Sequence, residues 1–283
     1  MKIVFLQWIL DLLAPIFEWS MPRPVSYVSW EASSFHYITF GFIILFAVLL
    51  AKFYKDKPSE QIYRLIFVVG ILMVIFEGLR QLYFVWQSGG IYPWYVFPFQ
   101  FCSTPIYIGV IIRFIPTKIK DAFVLYLGSF SLLAGILVML MPNDIYLDSV
   151  YINFQTTFQH GAMVILGAIA IVRAKHVNIH RFIGPIVIFS TFLVLAVILN
   201  TIHNELINTP TFNMFFINPR YGTSLPVFID IYPLVPYLVF LMIYVFGFSF
   251  GAYLIIAINN TIRFWLASLN KSRNEQVVIA KQD

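Results

Sequence analysis

Charge is scarce in this chain. Asp, Glu, Lys and Arg make up 11% of its 283 residues, while 60% are hydrophobic. Soluble domains carry about 25% charged residues, so a water-solvated surface over most of the chain is excluded. Cysteine is scarcer still: Cys102 is the only one, which rules out an intrachain disulfide and any multi-thiolate zinc site. Long internal repeats, low-complexity tracts and linkers are missing, as are a Walker-type phosphate loop, a Gly-x-Ser-x-Gly elbow and a dinucleotide fingerprint. The formal net charge is +5, but the basic residues are dispersed over separate loops. That sign bears on membrane topology and gives no case for a nucleic-acid partner.

What the sequence does have is long apolar runs without alternation, the mark of membrane helices and not of a barrel. Seven such segments fall near 35–54, 62–86, 98–115, 121–141, 154–173, 182–203 and 232–258, each near the ~20 residues needed to cross a bilayer. The expected fold is therefore all-α, a polytopic membrane helix bundle with about seven transmembrane helices. The third segment is short and holds two prolines; Pro98 suits a helix start, and Pro105 is expected to kink the helix just past Cys102. Residues 1–20 place Gln7, Asp11 and Glu18 on one helical face. Asp11 interrupts the apolar core a signal peptide would need, and no small-residue cleavage site follows, so an interfacial amphipathic helix anchored by Trp8 and Trp19 is expected. Three units result: an interfacial helix over 1–24, a seven-helix membrane domain over 25–262 and a polar tail over 263–283.

Orientation follows from the basic residues. Lys52, Lys55, Lys57, Arg64, Arg113, Lys118, Lys120, Arg173, Lys175, Arg181, Arg263, Lys271, Arg273 and Lys281, 14 of 18, fall in the first, third and fifth connections, at their flanks, and in the C-terminal tail. Lys2, Arg23 and Arg220 lie on the other side, and Arg80 lies within a span. The positive-inside rule makes the crowded side cytoplasmic, with the N-terminus outside, the C-terminus inside and the cell membrane as the expected location. The longest outer connection, 204–231, has the length of a lid or binding element.

Polar residues inside the spans share one depth. Glu77, Arg80 and Gln81 lie in the outer half of the second span, Gln100, Cys102, Ser103 and Thr104 in that of the third, and Thr156, Gln159 and His160 in that of the fifth; Asn200, His203 and Asn204 end the sixth. Such groups are costly in hydrocarbon and normally face the bundle or a wet cavity, so a hydrated pocket closed toward the cytoplasm is expected. Plainer readings stand beside it. Glu77 and Arg80 have the spacing to neutralise each other, Gln100, Gln159 and Asn200 to glue helices together, and Cys102 to act as a small inert hydrophobe. A thiol with an imidazole in reach has chemistry, since the imidazole can act as its base. Glu77, His160 and His203 form a weaker zinc reading without ligand spacing, and no metal or other cofactor is expected.

With Glu77-x-x-Arg80 in the second span, Pro98-Phe99-Gln100-Phe101-Cys102 opening the third and Gln159-His160-Gly161 opening the fifth, the chain resembles the YwaF-like bacterial integral membrane proteins. Their eukaryotic relative is transmembrane protein 164, a cysteine-dependent phospholipid acyltransferase. The resemblance runs from about Phe35 to Ile258. It implies that Cys102 is the acyl-accepting nucleophile and His160, 58 residues on, its base. Membrane lipids would be the partners and an acyl-bearing phospholipid the substrate, with Glu77, Arg80, Gln100, Gln159, Asn200 and His203 binding it. The alternative is a transporter or binding protein for an ion or small polar solute using the same cluster, or a purely structural polar network.

Overall fold

A computed structural model describes residues 2–142, 145–174 and 176–279, with side chains from 6 to 269. Of the basic residues counted above, Lys175 and Lys281 lie outside the described residues, as do the side chains of Lys2, Lys271 and Arg273.

The described residues form helices and loops, with one isolated antiparallel bridge between Ser20 and Ser149. Helix α1 spans Lys2–Phe17, α2 Trp30–Tyr54, α3 Ser59–Gln87, α4 Thr104–Ile111 and α5 Thr117–Tyr126. A π turn over Leu127–Ser131 joins α5 to α6, Leu132–Leu140. Then come α7 (Val150–Arg173), α8 (Ile179–Ile202), the single-turn α9 (Phe228–Ile231) and α10 (Tyr237–Ile279). Helix starts are written into the sequence: the side chains of Ser29, Ser149 and Asn178 accept from Ala32 N, Ile152 N and Arg181 N at the heads of α2, α7 and α8. Helix α10 continues past the apolar stretch through Ile279, so the expected tail begins as an extension of the last span.

Among the described residues, six helical stretches are long and apolar enough to cross a membrane: 30–54, 59–87, 117–140, 150–173, 179–207 and 237–269. The third apolar segment, expected as a seventh helix of that kind, is different. Only Phe101–Ile111 is helical, about 16 Å at 1.5 Å per residue. Residues 97–100 approach it as non-helical chain, and Pro105 occupies the first turn of α4 instead of kinking a longer helix. A proline belongs there because the first turn has no use for its missing N–H.

The segment still travels between the two ends of the bundle. Gln81 Nε2 on α3 donates to Val96 O at 2.9 Å, Gly109 meets Gly70, and the Arg113 guanidinium lies 5.8 Å from the centre of the Phe67 ring. Descending the third segment thus means descending α3 step by step.

Helix α7 is the axis. Of its central apolar window 72% is buried, against 22% for α2 and for α10, whose outward faces carry Phe42, Leu45, Val48, Phe246 and Phe250 to lipid. The basic end is knitted by Arg173 Nη1 donating to Tyr54 O (2.7 Å) and Lys55 O (2.9 Å), Arg181 Nη2 paired with Asp121, and Arg263 donating to Val172 O. At the opposite end α1 rests on α3 and α7 through Phe17, which packs against Tyr83, Trp86 and Tyr151 with ring centres 5.6–5.8 Å apart. Trp8 and Trp19 stay exposed.

Candidate functional site

The polar residues gather at the end opposite the basic one, in three adjoining groups strung along the third segment. In the first, the Glu77 carboxylate on α3 receives Arg80 Nη1 (2.9 Å), Gln81 Nε2 (2.5 Å) and, from α7, Gln155 Nε2 (3.2 Å). Gln81 and Arg80 also donate to Val96 O, at 2.9 and 3.5 Å, and Tyr92 OH donates to Gln81 Oε1 at 2.7 Å. Burial, and after it the Glu77 carboxylate, pushes the Tyr92 phenol above its ordinary pKa, which keeps it a donor. Glu77 is 8% exposed, and a carboxylate so enclosed needs this many donors. Helical spacing put Glu77 and Arg80 together as the sequence indicates; Gln155 and Tyr92 are additional partners. Gln155 was findable, since it lies one helical turn before Gln159 on the same face of α7.

The second group surrounds Cys102. This residue is half-buried in the single 3-10 turn Phe101–Ser103 that leads into α4. Gln159 Nε2 reaches across from α7 and donates to Cys102 O at 2.9 Å. Beside it, His160 is 7% exposed, and its Nδ1 lies 2.8 Å from Thr156 O. A carbonyl only accepts, so Nδ1 carries a proton there, and the neutral form of such a ring has its lone pair on Nε2. No protein hydrogen bond is made by that Nε2 among the described residues, nor does one join Cys102 to His160. Gln159, the residue before His160, makes the bridge from α7 to the turn that carries Cys102.

The third group is a loop that enters the bundle. Phe212, Met214, Phe215, Ile217 and Asn218 are all at most 2% exposed, and Phe215 and Phe216 take left-handed φ of 57° and 55°. Side chains take the place of a ladder for this irregular backbone. Gln100 Nε2 donates to Asn213 O (2.9 Å) while its Oε1 accepts from Phe215 N (2.8 Å). Asn200 does the same for Met214, donating to its carbonyl at 3.0 Å and accepting from its N–H at 2.8 Å. Tyr244 OH donates to Phe215 O at 2.9 Å, and Asn204 and Asn218 bond each other reciprocally at 3.0 Å. His203 serves the same loop: its Nε2 lies 2.8 Å from Thr209 Oγ1, and its ring stacks on Phe212 with centres 4.0 Å apart. Gln100, Asn200 and His203 therefore act on the loop, and the outer connection expected as a lid is partly a plug. Asn213, Asn204 and Asn218 complete it; three asparagines around an apolar Phe-x-Met-Phe core are its sequence signal.

Among the described residues no three His, Cys, Asp or Glu side chains come together to hold a metal ion, so Glu77, His160 and His203 do not form the weaker zinc arrangement. Beneath the site the bundle is filled by rings: Phe101 packs on Phe189 and Phe248 with centres 5.1 and 5.0 Å apart, and Phe130 on Phe189 at 4.8 Å.

Comparison with curated proteins and with solved structures gave no match. A family model does match, over residues 28–258, from just before α2 into α10 and across every residue of the three groups. The chain belongs to the TMEM164 family.

Proposed function

We propose that this membrane protein is an acyltransferase acting on phospholipid or lysolipid acyl esters, with Cys102 as nucleophile and His160 as its base. The observation that carries the reading is the setting of the only thiol. It is half-buried at the head of α4, with its carbonyl held by Gln159, the residue next to a histidine whose Nε2 is left to accept a proton. The resemblance to a cysteine-dependent phospholipid acyltransferase points to the same pair.

In this reading His160 Nε2 takes the Sγ proton and the thiolate attacks the acyl carbonyl. The ester C–O bond breaks, and the departing lysolipid oxygen takes the proton back from His160. A second lysolipid hydroxyl, or water, then surrenders its proton to His160 and attacks the thioester, which restores Cys102. Substrate entry must bring Sγ and Nε2 together, as catalytic hydrogen bonds commonly tighten only in the Michaelis complex. Arg80 uses Nη1 on Glu77 and can offer the rest of its guanidinium to a lipid phosphate. Gln100, Asn200 and His203 hold the wall of the site through the 212–218 loop.

Transport would require a wet path to the basic end, and the ring-packed centre around Phe189 argues against one. The test is a lipid profile of cells expressing wild type, Cys102→Ala and His160→Ala at matched membrane levels. The expected result is an acyl-chain redistribution with wild type that both substitutions abolish; three identical profiles would sink the catalytic reading.

A further inference from the structure

A cavity lies at the basic end, remote from Cys102. It has a volume of about 280 Å³ and is bounded by the start of α3, by α5, by the end of α7 and by the start of α8. Arg173, Arg181, Tyr63, Ser59 and Asp121 supply its polar wall.

Its charge is lopsided. Arg181 Nη2 contacts both Asp121 oxygens at 3.1 and 2.8 Å, which accounts for the one carboxylate in the lining. Arg173 is fixed at the rim through Nη1, which donates to Tyr54 O and Lys55 O. Its Nη2 and Nε make no protein hydrogen bond among the described residues. Behind Tyr63 the Lys120 ammonium, in a residue only 7% exposed, sits 4.6 Å from the ring centre. Two arginines and, behind Tyr63, Lys120 thus stand against Asp121 in the lining and Glu60 in the first turn of α3.

The backbone adds to the same field. Helix α3 begins at Ser59, in the cavity wall, and its preceding residue is Pro58, so no side chain caps it. The first N–H groups of a 29-residue helix present partial positive charge there, partly offset by Glu60 in the same turn.

We propose that this cavity binds a phosphate group, presented by an anionic lipid headgroup or as a free phosphate. Guanidinium groups suit phosphate oxygens by fork geometry. Basic pockets between membrane helices on the positively flanked side are where anionic headgroups collect. Asp121 is the competitor: the phosphate enters by sharing Arg181 with it. Removing the Asp121 charge therefore strengthens binding, and removing either arginine weakens it. That opposite pair of signs separates a site from general basicity.

The full-length protein in detergent is titrated with dioctanoyl phosphatidic acid, dioctanoyl phosphatidylcholine and inorganic phosphate, and thermal unfolding is followed. Phosphatidic acid is expected to raise Tm by about 2–4 °C and phosphatidylcholine to leave it unchanged. Arg181→Gln should raise the half-saturating concentration about tenfold, the loss of one charged hydrogen bond, and Asp121→Asn should lower it. Asp56→Asn removes an exposed charge at the same end and should change nothing. If inorganic phosphate reproduces the shift, the ligand is free phosphate; if only the lipid does, it is the headgroup. Equal response to both lipids overturns the proposal, as does Asp56→Asn matching Asp121→Asn. Should Arg181→Gln fail to fold, an Asp121→Asn protein that binds no tighter than wild type overturns it alone.

Discussion

An asparagine inside an apolar bundle is costly unless both ends of its amide are used. Asn200 uses both on one residue, the N–H and C=O of Met214, which is itself fully buried. Gln100 does nearly the same one residue to either side. These amides stand in for the secondary structure that a loop with left-handed Phe215 and Phe216 cannot make. Asn200→Leu should therefore cost about 1–3 kcal/mol for each orphaned Met214 group, read as a fall in Tm in detergent. Thr201→Val, one residue on, removes only an exposed bond from Thr201 Oγ1 to Val197 O and should leave Tm nearly unchanged. Comparable Tm values for the two variants would mean that the loop is not held by Asn200.

At the scale of elements, the third segment decides how the site is built. An apolar stretch with two prolines reads by hydropathy as one more span, because hydropathy does not distinguish extended apolar chain from helix. The chain uses non-helical residues 97–100, a 3-10 turn and the short α4, which leaves Cys102 at a helix head instead of inside a helix. What fixes α4 against α3 is a glycine pair. A Cβ on Gly109 would lie 2.5 Å from Gly70 Cα, whereas one on Gly78 meets nothing within 4 Å. Gly109→Ala should then push the two backbones apart, lower Tm by the equivalent of about 1–3 kcal/mol and change the rate at which Cys102 reacts with a thiol reagent. Gly78→Ala should do neither, since alanine is the better helix former by about 1 kcal/mol. Equal behaviour of the two would remove the glycine contact as the support of Cys102.

The long helices, their order and the charge bias were legible in the sequence because each rests on a run of like residues. The matched depth of Glu77, Cys102, His160 and Asn200 was legible for the same reason: counting along spans gives height. Rotation about each helix was not. Nothing in composition says that Gln159 reaches the Cys102 carbonyl, or that Gln100 and Asn200 spend their amides on a loop more than 100 residues and 14 residues away. Facing directions follow from close backbone contacts such as Gly70 with Gly109, which are properties of pairs.

Taken whole, the molecule is graded along its axis: a polar end with the thiol and its network, a ring-packed centre around Phe101, Phe130 and Phe189, and a basic end with a cavity of about 280 Å³. A thioester-forming enzyme needs only one approach to Cys102, whereas a carrier must open the centre to both ends in turn. The composition supplies its own reporter, because Cys102 is the only cysteine and any labelling is at that residue. In sealed vesicles of known orientation, a membrane-impermeant methanethiosulfonate added at the polar end should modify Cys102, and the same reagent at the basic end should not. Bulky Phe189 and its neighbours block the second route, so Phe189→Ala should admit reagent from the basic end without being needed for labelling from the polar one. Modification of wild type from the basic end would mean that the centre opens, and the solute-carrying alternative would then replace acyl transfer as the better account of the cluster.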